Sequence, residues 1–306
     1  MRRYFASLVV RNAACPVRVY ADWTELISAS LPIPNLGSAE DVVLDLQHHP
    51  SSPDSVLNIT IPRRISSVEI DAQAPVSLAA KDKLEVEKHL MVTSHQGDIA
   101  VGCAIRAHTI ELQSVQSEIT VDKAIEAVRL VLRANSKVTA QKRVSAVSEL
   151  VLQANSIELA SLYCLGSSDV AAVGGDVLLG PTHGTTVNVQ ASHGNVRVQS
   201  LSGSCHIVAP KGSVGLHFDA SIGRSTIQAG NKVDVSLAVD ALPMRVTGMV
   251  PNLDAKLIRY DQDNGFTVLG GEEGKPVNEL HVQTPIPGGD IKLESWIDNV
   301  LKNMKH

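Results

Sequence analysis

Leu130-Val-Leu-Arg-Ala-Asn-Ser136 and Leu150-Val-Leu-Gln-Ala-Asn-Ser156 match at six of seven positions, at an offset of 20 residues. Self-similarity at a fixed period marks an architecture of stacked repeats. The match extends as a pattern in both directions. Ile70, Leu90, Ile110, Leu130, Leu150 and Val170 form one column at this spacing, and Ala72, Val92, Leu112, Leu132, Leu152 and Ala172 form a second. Another arm of the repeat carries Ile99, Ile119, Val138, Ile157, Val177, Val196, Val214 and Val233. Two residues further on it carries Val101, Val121, Ala140, Leu159, Leu179, Val198, Leu216 and Val235. There the offset drifts between 18 and 20, as corner turns of unequal length would make it do.

Within each arm apolar residues alternate with polar ones, as at Leu130 and Leu132, Val187 and Val189, and Val196 and Val198. Period two means strands with one face turned inward. Between paired strands lie short turn-forming groups, Ser94-His-Gln-Gly97, Ser192-His-Gly194, Ser202-Gly203 and Lys211-Gly212-Ser213. A hairpin sheet also alternates, but it gives no reason for the same residue type to return every 20 positions. In a solenoid each residue lies on its counterpart one coil away, about 4.8 Å along the axis. The expected fold is therefore all-β: a single-stranded parallel β-helix, or β-solenoid, of about 20 residues per coil. Right-handed crossovers are expected from the chirality of strand connections.

The flanks differ from the repeats. Residues 22–65 read as N-terminal strands and a cap, with strands at Val42–Leu46 and Val56–Ile61 around a loop holding Pro50 and Pro53. The repeats proper occupy 66–258. Residues 259–293 read as a hairpin and closing strands, with Asp263-Asn264-Gly265 as the turn and Leu280–Val282 and Asp290–Leu293 as a last strand pair. Residues 294–306 read as a short amphipathic helix, with Trp296, Ile297, Val300, Leu301 and Met304 on one stripe. That helix is either a cap on the final coil or a docking element. Trp296, Val300, Leu301 and Met304 are the candidate partner contacts, together with the loop near Pro50.

Composition narrows the function. Hydrophobic residues make up 44% of the 306 and aromatic residues only 3%, so the core must be aliphatic and built in thin layers. A net charge of −5 carries no footprint for nucleic acid. Cys15, Cys103, Cys164 and Cys205 are widely spaced and form no CxxC pair, which suits buried wall residues in a reducing compartment. From Met1 to Ala21 there is no acidic residue, while Arg2, Arg3, Arg11 and Arg18 interrupt an apolar background. This composition is that of a mitochondrial presequence, against the alternative of an ordinary basic strand. No stretch is apolar for the roughly 18–20 residues of a transmembrane helix.

Val187-Asn-Val-Gln-Ala-Ser-His-Gly-Asn-Val-Arg-Val198 and Leu90-Met-Val-Thr-Ser-His-Gln-Gly-Asp-Ile-Ala-Val101 carry a "strand, Thr/Ser, Gly, Asp/Asn, strand" unit. This unit resembles the repeat of the adhesin-type β-solenoid domain found in bacteria and in eukaryotic relatives, and Gly288-Gly-Asp-Ile-Lys-Leu293 resembles its closing unit. The resemblance spans roughly residues 42–293 and implies a solenoid. It departs at 103–165, where Ser, Asn and Lys largely replace the turn glycines. It implies no catalytic residues.

Candidate chemistry is sparse. Asp98, Asp176, Asp219 and Asp290 lie at or near turns rather than along one column, so they do not assemble a carboxylate pair for glycoside chemistry. Among eleven histidines, His95, His183 and His193 precede turn glycines, and His193 with His206 could share an edge. None has a paired metal-ligand spacing, and His48-His49 would face opposite sides of a strand. Gly174-Gly175 and Gly270-Gly271 continue into no phosphate-binding motif. The expectation is no metal, no cofactor, no catalytic site and a scaffold or interaction role with protein partners in a mitochondrial assembly. A carbohydrate-active solenoid lyase or hydrolase is the first alternative and an envelope adhesin the second.

Overall fold

Aliphatic side chains at every second position need an apolar surface to lie on, and here the next coil supplies it. In the computed structural model Ile110, Leu130 and Leu150 are successive parallel partners, as are Leu112, Leu132 and Leu152. All six side chains are fully buried. Ile99, Ile119 and Val138 form the neighbouring column, with Val101, Val121 and Ala140 beside it. The structure describes residues 6–24, 26–30, 42–46, 55–220, 223–238, 244–247, 252–253, 258–261, 266–269, 278–283 and 290–295. The chain forms two compact units, residues 1–154 with 158–160, and residues 155–157 with 161–306. Both are parallel β-solenoids.

The first unit has a further face beyond the two arms of the 20-residue repeat. Leu84, Ile105, Ile125 and Val144 form one column, and Val86, Ala107, Ala127 and Ala146 another. Each coil therefore has three faces rather than two arms. Apolar alternation on the third is weak in the sequence, because alanine fills one of its two inward columns at positions 107, 127 and 146. A local register also differs. Val68 lies opposite Leu90 and Ile70 opposite Val92, a step of 22 rather than the 20 that would place Ile70 on Leu90. A shift of two residues preserves the inward face, so burial is unchanged. In the second unit Val177, Val196, Val214 and Val233 stack in turn, and Ile291 follows Val233.

The order of coils in the stack departs from their order in the chain. Ser7–Ala13 pairs with Val42–Asp45 on one edge and with Ser67–Ala72 on the other. Val17–Asp22 likewise lies between Leu57–Pro62 and Val76–Ala80. The segment set apart from the repeats on composition thus supplies two faces of a coil inside the first unit, with Leu8, Val10, Val17 and Val19 buried. Its neighbours lie at offsets of 34 (Leu8 to Val42) and 60 (Leu8 to Val68), neither of them the single-coil step of about 20.

The second unit repeats this device. Asn278–Gln283 lies between Arg224–Ala229 and Met244–Thr247, and Asp290–Ser295 between Lys232–Leu237 and Asn252–Leu253. These two strands are therefore arms of one inserted coil, paired with other coils rather than with each other. Ile258–Asp261 and Phe266–Leu269, on either side of Asp263-Asn-Gly in the sequence, pair antiparallel as expected of a hairpin. The Pro50 loop and the stretch bearing Trp296, Val300, Leu301 and Met304 lie outside the described residues.

Leu132→Ala should lower stability by about 2–5 kcal/mol, because a filled layer loses its side chain without room to collapse. Leu132→Asp should prevent folding, since the carboxylate would have no partner between apolar layers. Met91→Ser, on the outward face, should stay within about 0.5 kcal/mol. Urea titrations of the three variants check the inward–outward register.

Candidate functional site

Outward side chains obey the same stacking rule as inward ones, so charges of opposite sign meet between coils. Arg64, Glu85, Arg106 and Glu126 are successive neighbours on one face and alternate in sign. Arg64 Nε donates to Glu85 Oε2 at 2.8 Å, and Arg143 Nη2 to Glu126 Oε1 at 2.9 Å. On the adjoining face Arg129 Nε donates to Glu149 Oε2 at 2.6 Å. Arg133 donates both to Glu111 Oε1, at 2.8 Å, and to Gln153 Oε1, at 3.2 Å, and so spans three coils. Between these pairs lies Val131, fully buried although it points outward. The aliphatic stems of the arginines provide such cover. The pairs are partly exposed, so each adds at most about 1 kcal/mol.

One recess interrupts this surface. It encloses about 430 Å³ and is lined by Arg64, Glu85, Glu87, Arg106, His108 and Val128, among others. Its origin is a difference in corner length. Val86 pairs with Ala107 and His89 with Thr109, so Glu87 and Lys88 occupy a corner that His108 alone fills on the next coil. The two-residue corner projects and the one-residue corner recedes. Glu85 is held by Arg64, and Arg106 lies between Glu85 and Glu126 in register. The recess is open, polar and of mixed charge, a surface suited to ionic contacts with another macromolecule. It lies far in sequence from the candidate contacts read at 296–304, and corner-length differences leave no motif by which to find it.

Exposed aromatic residues mark two further places. Trp23 is 75% exposed, and the Arg63 guanidinium sits 4.6 Å above its ring. In the second unit Tyr163 and His183 stack with centroids 4.9 Å apart and planes 9° from parallel, beside exposed Leu165. His183 therefore belongs to the strand Val177–Ala191 rather than to a turn. His95 does sit at a corner, with Nε2 2.8 Å from Asp71 Oδ1, and His193 Nδ1 lies 2.9 Å from the Val173 carbonyl. His206, in the strand Val196–Ala209, is hydrogen-bonded to Thr226. Among the described residues no group of three or more His, Cys, Asp or Glu could hold a metal ion, and no helix is long and apolar enough to cross a membrane.

The turn carboxylates have structural partners. Asp176 Oδ1 accepts from the Asn195 backbone N–H at 2.7 Å, and Asn195 Oδ1 accepts from that of Ser213 at 2.9 Å. Asp98 accepts from Ser117 and from the Glu118 backbone N–H. Each thereby ties one corner to the next. Asp219 instead lies 3.1 Å from His217 Nε2. The corner glycines stack closely as well. A Cβ on Gly194 would fall 2.1 Å from the Gly175 carbonyl oxygen, and one on Gly212 would fall 2.0 Å from that of Gly194. Gly174-Gly175 is thus part of a corner ladder.

All four cysteines are free and buried. Burial pushes the Cys103 thiol from an ordinary 9.0 up to about 11, partly offset by a backbone hydrogen bond. Burial pushes Cys205 up to about 12, partly offset by its hydrogen bond with Ser225. Both are protonated at neutral pH and poor nucleophiles. No family model, curated protein or solved structure matches this chain.

Gly194→Ala should destabilise by about 1–3 kcal/mol through corner overpacking, measured as a drop in melting temperature. The cysteines yield a second expectation. A thiol with a raised folded pKa contributes stability that is complete below about pH 9 and lost as pH rises through 11–12. The native chain should resist aromatic disulfide reagents at pH 8 and react at four thiols once denatured. Cys205→Val should lessen the fall in melting temperature above pH 9.

Proposed function

We propose that this protein is a non-catalytic β-solenoid scaffold or interaction subunit acting in a mitochondrial assembly. The observation that carries this reading is the division of its polar chemistry. The inward rows are chiefly aliphatic, their buried polar members are hydroxyls such as Ser94, Ser114 and Thr182 with no carboxylate among the described residues, and carboxylates such as those of Glu85, Glu149 and Asp176 are engaged in ladders or corner caps on the outside. Catalytic carboxylates work in concave, partly dry sites that shift their pKa values, whereas the recess around Arg106 is open to water. Flat faces with alternating charge, punctuated by Trp23 and by the Tyr163–His183 stack, suit contact with a protein surface. The compartment rests on the composition of residues 1–21 alone.

One observation favours the carbohydrate-active alternative, the planar Tyr163–His183 stack on an outward face. An adhesin reading draws only on the resemblance of the repeat unit, which speaks to fold rather than activity. Affinity purification from intact cells separates the readings. Stoichiometric protein partners are expected, and Arg106→Gln together with Arg64→Gln should reduce their recovery about tenfold while moving the melting temperature by about 2 °C or less. Turnover of a polysaccharide, abolished by Tyr163→Ala, would replace the scaffold with the carbohydrate enzyme. A reporter fused to residues 1–21 should enter mitochondria; a diffuse cytosolic signal would remove the compartment.

A further inference from the structure

The strands Ser7–Ala13 and Val17–Asp22 are hydrogen-bonded along both edges. Among the described residues, Val42–Asp45 pairs with Ser7–Ala13 alone. Leu57–Pro62 pairs with Val17–Asp22 and with the two-residue strand Ser28–Ala29. The backbone contacts around them repeat the pattern, with Leu46 N–H donating to the Arg11 carbonyl, Leu57 to Pro16 and Arg63 to Asp22. The coil at 42–62 is therefore joined to the rest of the unit by way of the coil at 7–22. Seven apolar side chains of the inserted coil, from Leu8 through Ala21, are buried against it and against the coil at 67–80.

We infer that residues 7–22 form a structural wedge that stays in the working protein, and that this basic segment, free of acidic residues as far as Ala21, is not a removable leader. A cut at its end would remove one coil and detach a second. It would also expose two parallel strand edges, Ser67–Ala72 and Val76–Ala80, to pairing with other chains. The wedge itself is independent of compartment. A consequence that rests on the mitochondrial reading is that any targeting information here is legible only before folding. Afterwards Leu8, Val10, Val17 and Val19 face the core and Arg11 and Arg18 face water.

Two measurements test the wedge. Peptide mapping of the native protein recovered from cells should find Ser7–Asp22 in the same molar amount as peptides from residues 104–134. A folded, soluble chain lacking 7–22 would overturn the inference. In the full-length protein, a site-specific protease sequence placed after Ser38 would allow cleavage once folding is complete. The released fragment should co-elute with the remainder in native buffer and separate only in denaturant. Its loss in native buffer, with the remainder melting as before, would overturn the inference by a second route. Finding the protein in another compartment would remove the targeting consequence and leave both results intact.

Discussion

In a parallel solenoid every side chain meets its own counterpart about 4.8 Å away on the next coil. That constraint governs the rest of this structure. Inward, it demands shapes that stack without rotation, which Val, Ile and Leu do and large aromatic rings do poorly in a narrow interior. Phe218 is the large aromatic buried among the described residues. At corners, the same closeness brings one coil's carbonyl to within about 2 Å of a neighbour's would-be Cβ, and glycine follows at 194, 212 and 230. Outward, like charges would repel along a column, and alternation from Arg64 to Glu126 relieves this.

The constraint also shapes what the molecule can do. An interior filled by stacked rows leaves little concave space in which to desolvate an acid or a base. Chemistry is displaced to the surface, where water and ion pairs restrain it. Irregularity then becomes the source of surface character. The recess lined by Arg106 and His108 exists because one corner is a residue longer than the next. Contact surfaces on such a fold arise from differences between coils rather than from the repeat.

Coil insertion answers a general problem of solenoids, the exposed edge of the last coil. In each unit a coil lies one place inside the stack, between coils distant from it in sequence. An outermost coil that continues covalently beyond its neighbour has less freedom to fray than one ending in a free strand.

The sequence by itself determined the architecture, because the repeat is a local regularity. The identity of Leu130–Ser136 with Leu150–Ser156 at six positions, and the valines from Val177 to Val233, specify parallel stacking at a nearly constant offset. The turn glycines at 97, 194 and 212, the antiparallel strands Ile258–Asp261 and Phe266–Leu269 and the buried character of the cysteines were legible for the same reason, whereas Gly203, also read as a turn, lies within the strand Val196–Ala209. Only the tertiary structure decided the place of Ser7–Asp22 and Asn278–Ser295, the third face, and the pairing of Tyr163 with His183 and of Trp23 with Arg63. Inserted coils lie beside segments up to 60 residues away, and periodicity carries no information about such offsets. The third face alternates only weakly, since one of its inward columns is alanine at 107, 127 and 146. The recess comes from a corner one residue longer than its neighbour, and its effect appears only when two coils lie side by side.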